Sequence, residues 1–380
     1  MNFLFRKKMM TSVAMTAVAT MIIIVPWDNP RGNDPLEIMA QHQQFSLPSW
    51  TIRALSQKFS PIYGTIGLSD ENVLDSYFNL IKQKTTSNQN IGDSSTDIQT
   101  LRIAAENIIA RKIMKYFKNN SVGTYVFGDL FPPLLFKFEE PPYVLIISPR
   151  NSIEIQKTKL LKQDLDLSQI EHLEKIGADQ NLSVFITRVG GIATFPSFIA
   201  PPMNLHQAMT LVIHEWVHHY LFFQPLGKNY WASPEMTTLN ESAADLISHE
   251  IAALIQPKTS ATTPIQTTTR VDYNRMNVPR ILRQTRLKTE NLLAESRIEE
   301  AEAFMEKQRQ FLNANGVPIR KLNQAFFAFN GSYAMGPEST SPIGRELLMI
   351  RNKSDSIADF LEKIRGVDSI ENFNQLVEAK

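Results

Sequence analysis

The stretch His214-Glu215-Trp216-Val217-His218 places two histidines four residues apart inside an apolar run of the chain. Residues at this spacing share one face of an α-helix, so both imidazoles can reach one metal ion. Glu215 would then lie close enough to hold and deprotonate a water molecule at that metal. Asn204 is a suitable N-cap and no Gly or Pro follows until Pro225, so we predict a helix over 205–223. The alternative is a buried helix that the histidines merely line.

The stretch Asn240-Glu241-Ser242-Ala243-Ala244-Asp245 follows His218 by 22 residues. Ser233-Pro234 is typical of a helix start, and no Gly or Pro interrupts the chain before Pro257, so we predict a second helix here. A carboxylate from Glu241 would complete the three protein ligands of a catalytic zinc site, which leaves its fourth position to water.

Asp245 lies four residues after Glu241 and therefore shares its helix face. Its carboxylate could accept the free ring N–H of His214, which would fix the tautomer of that ligand and raise its basicity. The alternative for Glu241 and Asp245 is an ordinary solvated acidic face.

Together the two stretches resemble the gluzincin metallopeptidases, the group that contains thermolysin-like enzymes and zinc aminopeptidases. In that family a helix bearing H-E-x-x-H is followed by one that supplies a glutamate ligand, in thermolysin-like members as N-E-x-x-[SA]-D. The resemblance covers roughly residues 181–256. It implies His214, His218 and Glu241 as zinc ligands, Glu215 as catalytic base, and Asp245 as the partner behind the ligands. The gap before Glu241 is longer than usual in the family, so Glu235 and His249 remain alternative third ligands.

The chain upstream of the first motif reads as strands, from Leu182 to Ile186 and from Val189 to Phe195, around a glycine-permitted turn. In gluzincins a strand at this position borders the cleft and pairs with extended substrate. Here the resemblance implies an edge strand formed by Gly190, Gly191, Ile192 and Ala193. Zinc aminopeptidases place a glutamate there, and none occurs between Leu182 and Met203. The resemblance therefore supports peptidase activity better than aminopeptidase activity, and the choice between endo- and aminopeptidase stays open.

A peptidase also needs a hydrogen-bond donor for the oxyanion that forms when water attacks the amide. Gluzincins use a histidine or tyrosine downstream of the third ligand, but the histidines of this chain end at His249. The tyrosines beyond Glu241 are Tyr273 and Tyr333. We favour Tyr333, because it lies in a turn-rich stretch from which a side chain can point into a cleft; a structural role is the equal alternative.

The amino terminus carries a basic cluster at residues 6–8, followed by an uncharged, mostly apolar run over residues 9–25. This pattern is typical of a signal peptide or of a single membrane anchor. We favour the anchor, because the small-x-small pattern Ala17-Val18-Ala19 lies inside the run rather than after it. The positive-inside rule then predicts a single-pass protein of the cell membrane with an extracytoplasmic catalytic domain, or a secreted protein if residues 1–27 are removed.

Composition narrows the remaining possibilities. The chain has no cysteine, which excludes disulfides and thiolate ligands, and its 39 basic and 38 acidic residues give no reason to expect a nucleic-acid partner. After residues 1–27 we expect a tether at 28–44, an accessory α/β region at 45–180, and a zinc metallopeptidase domain at 181–380 that is helical from about 277. Periodicity predicts further elements: helices near 70–84, 97–117, 168–176, 277–316, 343–350 and 356–364, and a strand at 143–148.

We therefore expect an α+β fold with a gluzincin-like zinc-peptidase domain, namely a mixed sheet with an edge strand, active-site helices and a C-terminal helical lobe, preceded by an N-terminal membrane-targeting helix. The expected cofactor is Zn²⁺, and the expected partners are a peptide or protein substrate and, through residues 9–25, a membrane. Glu215 would pass the proton of the attacking water to the leaving amine. Two alternatives remain: a catalytically silent, membrane-tethered metal-binding scaffold, and a zinc hydrolase of a non-peptide substrate.

Overall fold

The N-terminal part of the protein consists of helices. The computed structural model describes residues 35–58, 69–87, 96–255 and 277–379. The helices before the first strand are α1 (Pro35–His42), α2 (Leu47–Lys58), α3 (Asp70–Ser87) and α4 (Thr96–Asn119).

Strands and one helix follow: β1 (Thr124–Val126), β2 (Asp129–Phe131), β3 (Phe136–Phe138), β4 (Tyr143–Pro149), β5 (Lys157–Leu161), α5 (Leu167–Asp179), β6 (Leu182–Thr187), β7 (Gly191–Ile192) and β8 (Ser197–Ile199). β1 and β2 pair with each other, and β4 pairs antiparallel with β5 and β6. In the remaining sheet β8 lies between β3, which is parallel to it, and β7, which is antiparallel. β7 is therefore an edge strand, and Phe198 lies opposite both Lys137 and Ile192.

The C-terminal part is helical again: α9 (Val278–Ala294), α10 (Ile298–Ala314), α11 (Gln324–Asn330), α12 (Ile343–Asn352), α13 (Ile357–Arg365) and α14 (Ile370–Glu378). The continuous helical pattern predicted over 277–316 is wrong, because two helices occupy this range. Ser296 takes the left-handed conformation at φ 59° in the turn between them. The two helices pack against each other, and their apolar faces are buried between them and against α11.

Two long helices, α6 (Leu205–Phe222) and α8 (Pro234–Ile255), form the centre of the molecule and are joined by the short α7 (Pro225–Lys228). α6 buries Trp216, Val217 and Leu221 in the largest hydrophobic cluster, which also receives side chains from α4, α8, α12, α13 and α14. The Trp216 indole donates a hydrogen bond to the carbonyl of Pro132 (2.9 Å). Packing on several sides fixes α6, so its polar side chains have defined positions.

Most elements predicted from periodicity are confirmed. The helices predicted near 70–84, 97–117, 168–176, 343–350 and 356–364 correspond to α3, α4, α5, α12 and α13, and the strand predicted at 143–148 corresponds to β4. The fold is α+β, as predicted, and its strands form separate small sheets, of which the three-stranded β3–β8–β7 sheet is mixed and has β7 at its edge. Pro132-Pro133 and Pro141-Pro142 lie between strands of different sheets and lack the N–H that a ladder needs.

The structure does not support the predicted membrane helix. Among the described residues, no helix combines the length and the apolar character needed to cross a bilayer. Residues 9–25, where the anchor was predicted, lie outside the described residues. The prediction of a membrane-targeting helix, and with it that of a single-pass membrane protein, is therefore corrected. α6, which contains the long apolar run around the first motif, buries its apolar side chains in the core of the protein.

Candidate metal centre

The first motif lies on α6, as predicted. The Asn204 side chain accepts a hydrogen bond from the Gln207 N–H (2.9 Å) and caps the start of the helix. His214 and His218 lie one turn apart on it, with their Nε2 atoms 3.1 Å from each other. Both imidazoles therefore present a nitrogen to the same point.

Glu241 supplies the third group from α8. The Ser233 hydroxyl accepts a hydrogen bond from the Met236 N–H (3.2 Å) at the start of this helix. Glu241 Oε2 lies 3.5 Å from His214 Nε2 and 3.4 Å from His218 Nε2. Of the residues proposed as third ligand, Glu235 is exposed in the first turn of α8 and His249 pairs with Asp245, so Glu241 is the one that joins the histidines.

His214, His218 and Glu241 form a largely buried group that could hold a metal ion. Ligand atoms bound at about 2.0–2.1 Å to a tetrahedral zinc ion lie about 3.3–3.4 Å from one another. The three separations here are 3.1, 3.4 and 3.5 Å. Two imidazoles and one carboxylate also match the ligand types of catalytic zinc, so the residues fit that ion.

The electrostatics of the group favour positive charge at its centre. Burial alone would raise the pKa of Glu241, yet the neighbouring imidazoles hold that pKa well below its ordinary value. Burial works against protonation of His218, yet the Glu241 carboxylate raises the pKa of that imidazole to about 9. The buried carboxylate therefore requires a cation beside it, and either a proton on histidine or a metal ion provides one.

Glu215 lies beside the group and against strand β7. It is 5% exposed, and burial raises its pKa. A Cβ atom added to Gly191 would lie 2.3 Å from Glu215 Oε1, so the backbone of β7 approaches this carboxylate as closely as glycine allows. Of the predicted edge strand, Gly191 and Ile192 form β7, whereas Gly190 and Ala193 flank it.

Asn240, which was not among the residues predicted for the site, holds the outer nitrogen of His218. Asn240 Oδ1 lies 2.9 Å from His218 Nδ1, and Asn240 Nδ2 donates to the carbonyl of Leu226 (3.4 Å). The sequence contained a signal for this role, because Asn240 is the first residue of the second motif and adjoins Glu241. Asp245, which we expected behind His214, lies instead with its Oδ1 3.4 Å from His249 Nε2.

Two tyrosines reach Glu241. The Tyr230 hydroxyl donates a hydrogen bond to Glu241 Oε1, and burial together with this carboxylate raises the pKa of Tyr230 well above its ordinary value. The sequence prediction missed Tyr230, because the predicted donors lie after Glu241, whereas Tyr230 precedes that residue in the turn after α7. Its place between the two motifs is visible in the sequence, but its contact with Glu241 depends on how that turn folds.

Tyr333, which we predicted as the oxyanion donor, lies beside the metal group. Its ring centroid is 6.1 Å from that of His214, and the carboxylate of Glu241, burial and the carboxylate of Glu215 raise its pKa well above the ordinary value. The Ala334 N–H donates to the Ser242 hydroxyl (2.8 Å), which ties the Tyr333 loop to α8. The other candidate, Tyr273, lies outside the described residues.

Another histidine of α6, His219, connects the helix to the chain segment after β7. His219 is buried, its Nε2 lies 3.4 Å from the Ser197 hydroxyl, and its ring hydrogen-bonds with the backbone of Thr194 and Ala193. Burial lowers its pKa to about 4, so the ring is neutral at physiological pH. These bonds keep β7 at a fixed distance from α6, and therefore from Glu215.

Comparisons with models of protein families, with curated proteins and with solved structures gave no match to this chain. The chemistry of the site is therefore argued from its own residues. They bring together three ligand atoms, a buried carboxylate beside them, two phenols and the edge strand of a sheet.

Proposed function

We propose that this protein is a zinc-dependent peptidase. The observation that carries the proposal is the convergence of His214, His218 and Glu241 at the spacing of zinc ligands, with Glu215 beside them. A buried general base next to a metal group has no use in a purely structural site, where a fourth protein ligand would close the coordination. The two motifs also resemble those of the gluzincin metallopeptidases, which supports a peptide substrate.

His214, His218 and Glu241 would hold the ion, and Asn240 orients the His218 ring through Nδ1. Zinc, when bound, supplies a Lewis acid that acidifies water and polarises the substrate carbonyl. Glu215 accepts the proton of the attacking water and returns it to the leaving amine, and burial raises its pKa toward the range that suits both transfers.

Tyr333 is the proposed donor to the oxyanion. Its raised pKa keeps the phenol protonated at neutral pH, so it can donate a hydrogen bond to developing negative charge. Tyr230 donates to Glu241 and is proposed to hold that ligand in place.

Strand β7 is the proposed site of substrate alignment. It is the edge strand of its sheet, and an extended peptide can add to such an edge through main-chain hydrogen bonds. Gly191 brings this edge against Glu215, so a peptide paired with β7 would pass the base and the metal group.

The test is a comparison of Glu215→Gln with Glu235→Gln, assayed on fluorescently labelled casein with zinc content measured in parallel. We expect Glu215→Gln to retain zinc and to lose at least about 100-fold in turnover, because general-base catalysis contributes about 10²–10⁴-fold. Glu235→Gln, a change at an exposed glutamate of α8, should match the wild type.

Robust casein cleavage by Glu215→Gln would refute the role of that residue. A zinc-loaded wild-type protein that cleaves neither casein nor a peptide library would overturn the peptidase proposal in favour of a metal-binding scaffold or a hydrolase of another substrate.

A further inference from the structure

A polar cavity adjoins strand β3 of the β3–β8–β7 sheet, and its lining includes none of the residues of the metal group. Two adjoining clefts of about 330 and 370 Å³ share four residues, Gln99, Arg102, Glu139 and Glu140. Lys137 of β3 lies opposite Phe198, which lies opposite Ile192 of β7. Two strand spacings, about 10 Å, therefore separate this cavity from the strand beside Glu215.

Cations at this cavity outnumber the carboxylates they contact. Arg53 Nη2 lies 3.0 Å from Glu139 Oε1, Lys137 pairs with the other oxygen of Glu139, and Arg102 Nε lies 3.7 Å from Glu106 Oε1. Glu139 also accepts a hydrogen bond from the Trp50 indole (3.1 Å). Three cationic side chains thus contact two carboxylates, and Glu140, which also lines both clefts, pairs with a fourth cation, Arg188, at 3.3 Å.

Lys137 has more hydrogen-bond donors than acceptors around it. Its side chain is 6% exposed, and an ammonium group has three N–H donors. In the described part of the chain it contacts one carboxylate, that of Glu139. Burial lowers the pKa of Lys137, which reflects the incomplete compensation of its charge.

Arg102 has still fewer acceptors for its hydrogen-bond donors among the described residues. Its guanidinium lines both clefts and has five N–H donors, of which one reaches the carbonyl of Phe138 at 3.5 Å. Within the described part of the chain its Nε, 3.7 Å from Glu106 Oε1, has no hydrogen-bond partner. Because the Arg102 guanidinium lines both clefts and Lys137 lines one of them, a group with several acceptor oxygens is the natural complement of these two side chains.

Apolar side chains line the cleft next to the charged groups of Arg102 and Lys137. The cleft that Arg102 shares with them is lined by Tyr77, Leu80, Ile81, Ile98, Phe138 and Pro201. Volumes of this size suit a small molecule rather than a macromolecule. We propose that the cavity binds a small organic carboxylate with an apolar body, its carboxylate on Arg102 and Lys137 and its apolar part along the neighbouring cleft.

The test is equilibrium dialysis of the full chain against radiolabelled octanoate, with octanol and inorganic phosphate as competitors. We expect one saturable site per chain, displaced poorly by octanol, which lacks the charge, and by phosphate, which lacks the apolar body. Arg102→Gln and Lys137→Met should each weaken octanoate binding about tenfold or more, because each removes a charge-assisted hydrogen bond.

Arg111→Gln is the matched control. Arg111 lies on the same helix, α4, and forms an exposed ion pair with Asp70 at 3.0 Å, so its loss should leave octanoate binding unchanged. Circular dichroism checks that each variant folds. If Arg102→Gln does not fold, the binding measurement on Lys137→Met decides the test. Octanoate binding that neither cavity variant weakens, or no saturable binding at all, would overturn the proposal. Phosphate binding at this site without octanoate binding would overturn the ligand class.

Discussion

The metal group and the polar cavity at β3 both contain buried charged side chains, but the two sites differ in how neighbouring groups balance those charges. At the metal group, the charged atoms lie within 3.5 Å of one another, and Asn240 and Tyr230 supply further hydrogen bonds. At the cavity, Arg102 and Lys137 line a cleft, and among the described residues they contact one carboxylate each, Glu106 and Glu139. The first arrangement therefore suits a single ion, whereas the second suits a larger group with several acceptor oxygens.

Apart from changes at Glu215 and the three proposed ligands, removal of the Tyr333 hydroxyl should have the largest effect among the residues around the metal group. Tyr333→Phe keeps the ring but removes the proposed oxyanion donor, so we expect turnover to fall by about 10²–10³-fold with zinc retained. Steady-state kinetics on labelled casein, with zinc content measured beside it, give the result. Unchanged turnover would leave Tyr333 a structural residue.

Gly191→Ala should disturb the close contact between strand β7 and the carboxylate of Glu215, the proposed base. The added Cβ would lie 2.3 Å from Glu215 Oε1 and must displace the carboxylate, whereas at Gly190 it would meet the end of the Leu211 side chain, which can move. We expect turnover to fall by about 100-fold, as for a misplaced catalytic group, with Gly190→Ala much closer to wild type. Equal activity of the two variants would contradict this arrangement of strand and base.

Asn240→Ala should weaken the metal group without removing a ligand. Loss of the bond to His218 Nδ1 frees the ring to rotate, and we expect zinc affinity to fall by about 10–100-fold, measured by competition with a chelator of known affinity. Asp245→Ala serves as the comparison, because Asp245 contacts His249 rather than a ligand. A larger loss in Asp245→Ala would reverse this assignment.

Lys137→Met tests the second region through its pH dependence. The folded-state pKa of Lys137 is lowered, so its burial destabilises the fold fully at neutral pH and progressively less as pH rises from that lowered pKa toward about 10.5. We expect Lys137→Met to gain stability over wild type at neutral pH, and this gain to shrink at alkaline pH. Urea unfolding at several pH values measures it, and a gain that grows with pH would contradict the account.

The metal group could be predicted because its residues are close in sequence and obey helix geometry. Asn204 caps α6 as expected. His214 and His218 are four residues apart, so both lie on one face of that helix. Tyr230 could not be placed from the sequence, because its position depends on how the turn after α7 folds back onto α8.

The polar cavity could not be predicted from the sequence either, because its charged residues are far apart in the chain. Arg53, Arg102 and Lys137 come from two helices and a strand, and tertiary packing alone brings them together. The break between α9 and α10 also escaped periodicity, because both helices continue the same polar and apolar pattern across Ser296.

Metal content of the full chain, purified without chelator, tests the central claim most directly. Elemental analysis of the wild type should give one zinc per chain, lost in Glu241→Ala and retained in Glu235→Ala, which changes an exposed glutamate of the same helix. Absence of zinc from the wild type, or equal zinc in both variants, would contradict the assignment of His214, His218 and Glu241 as a zinc site.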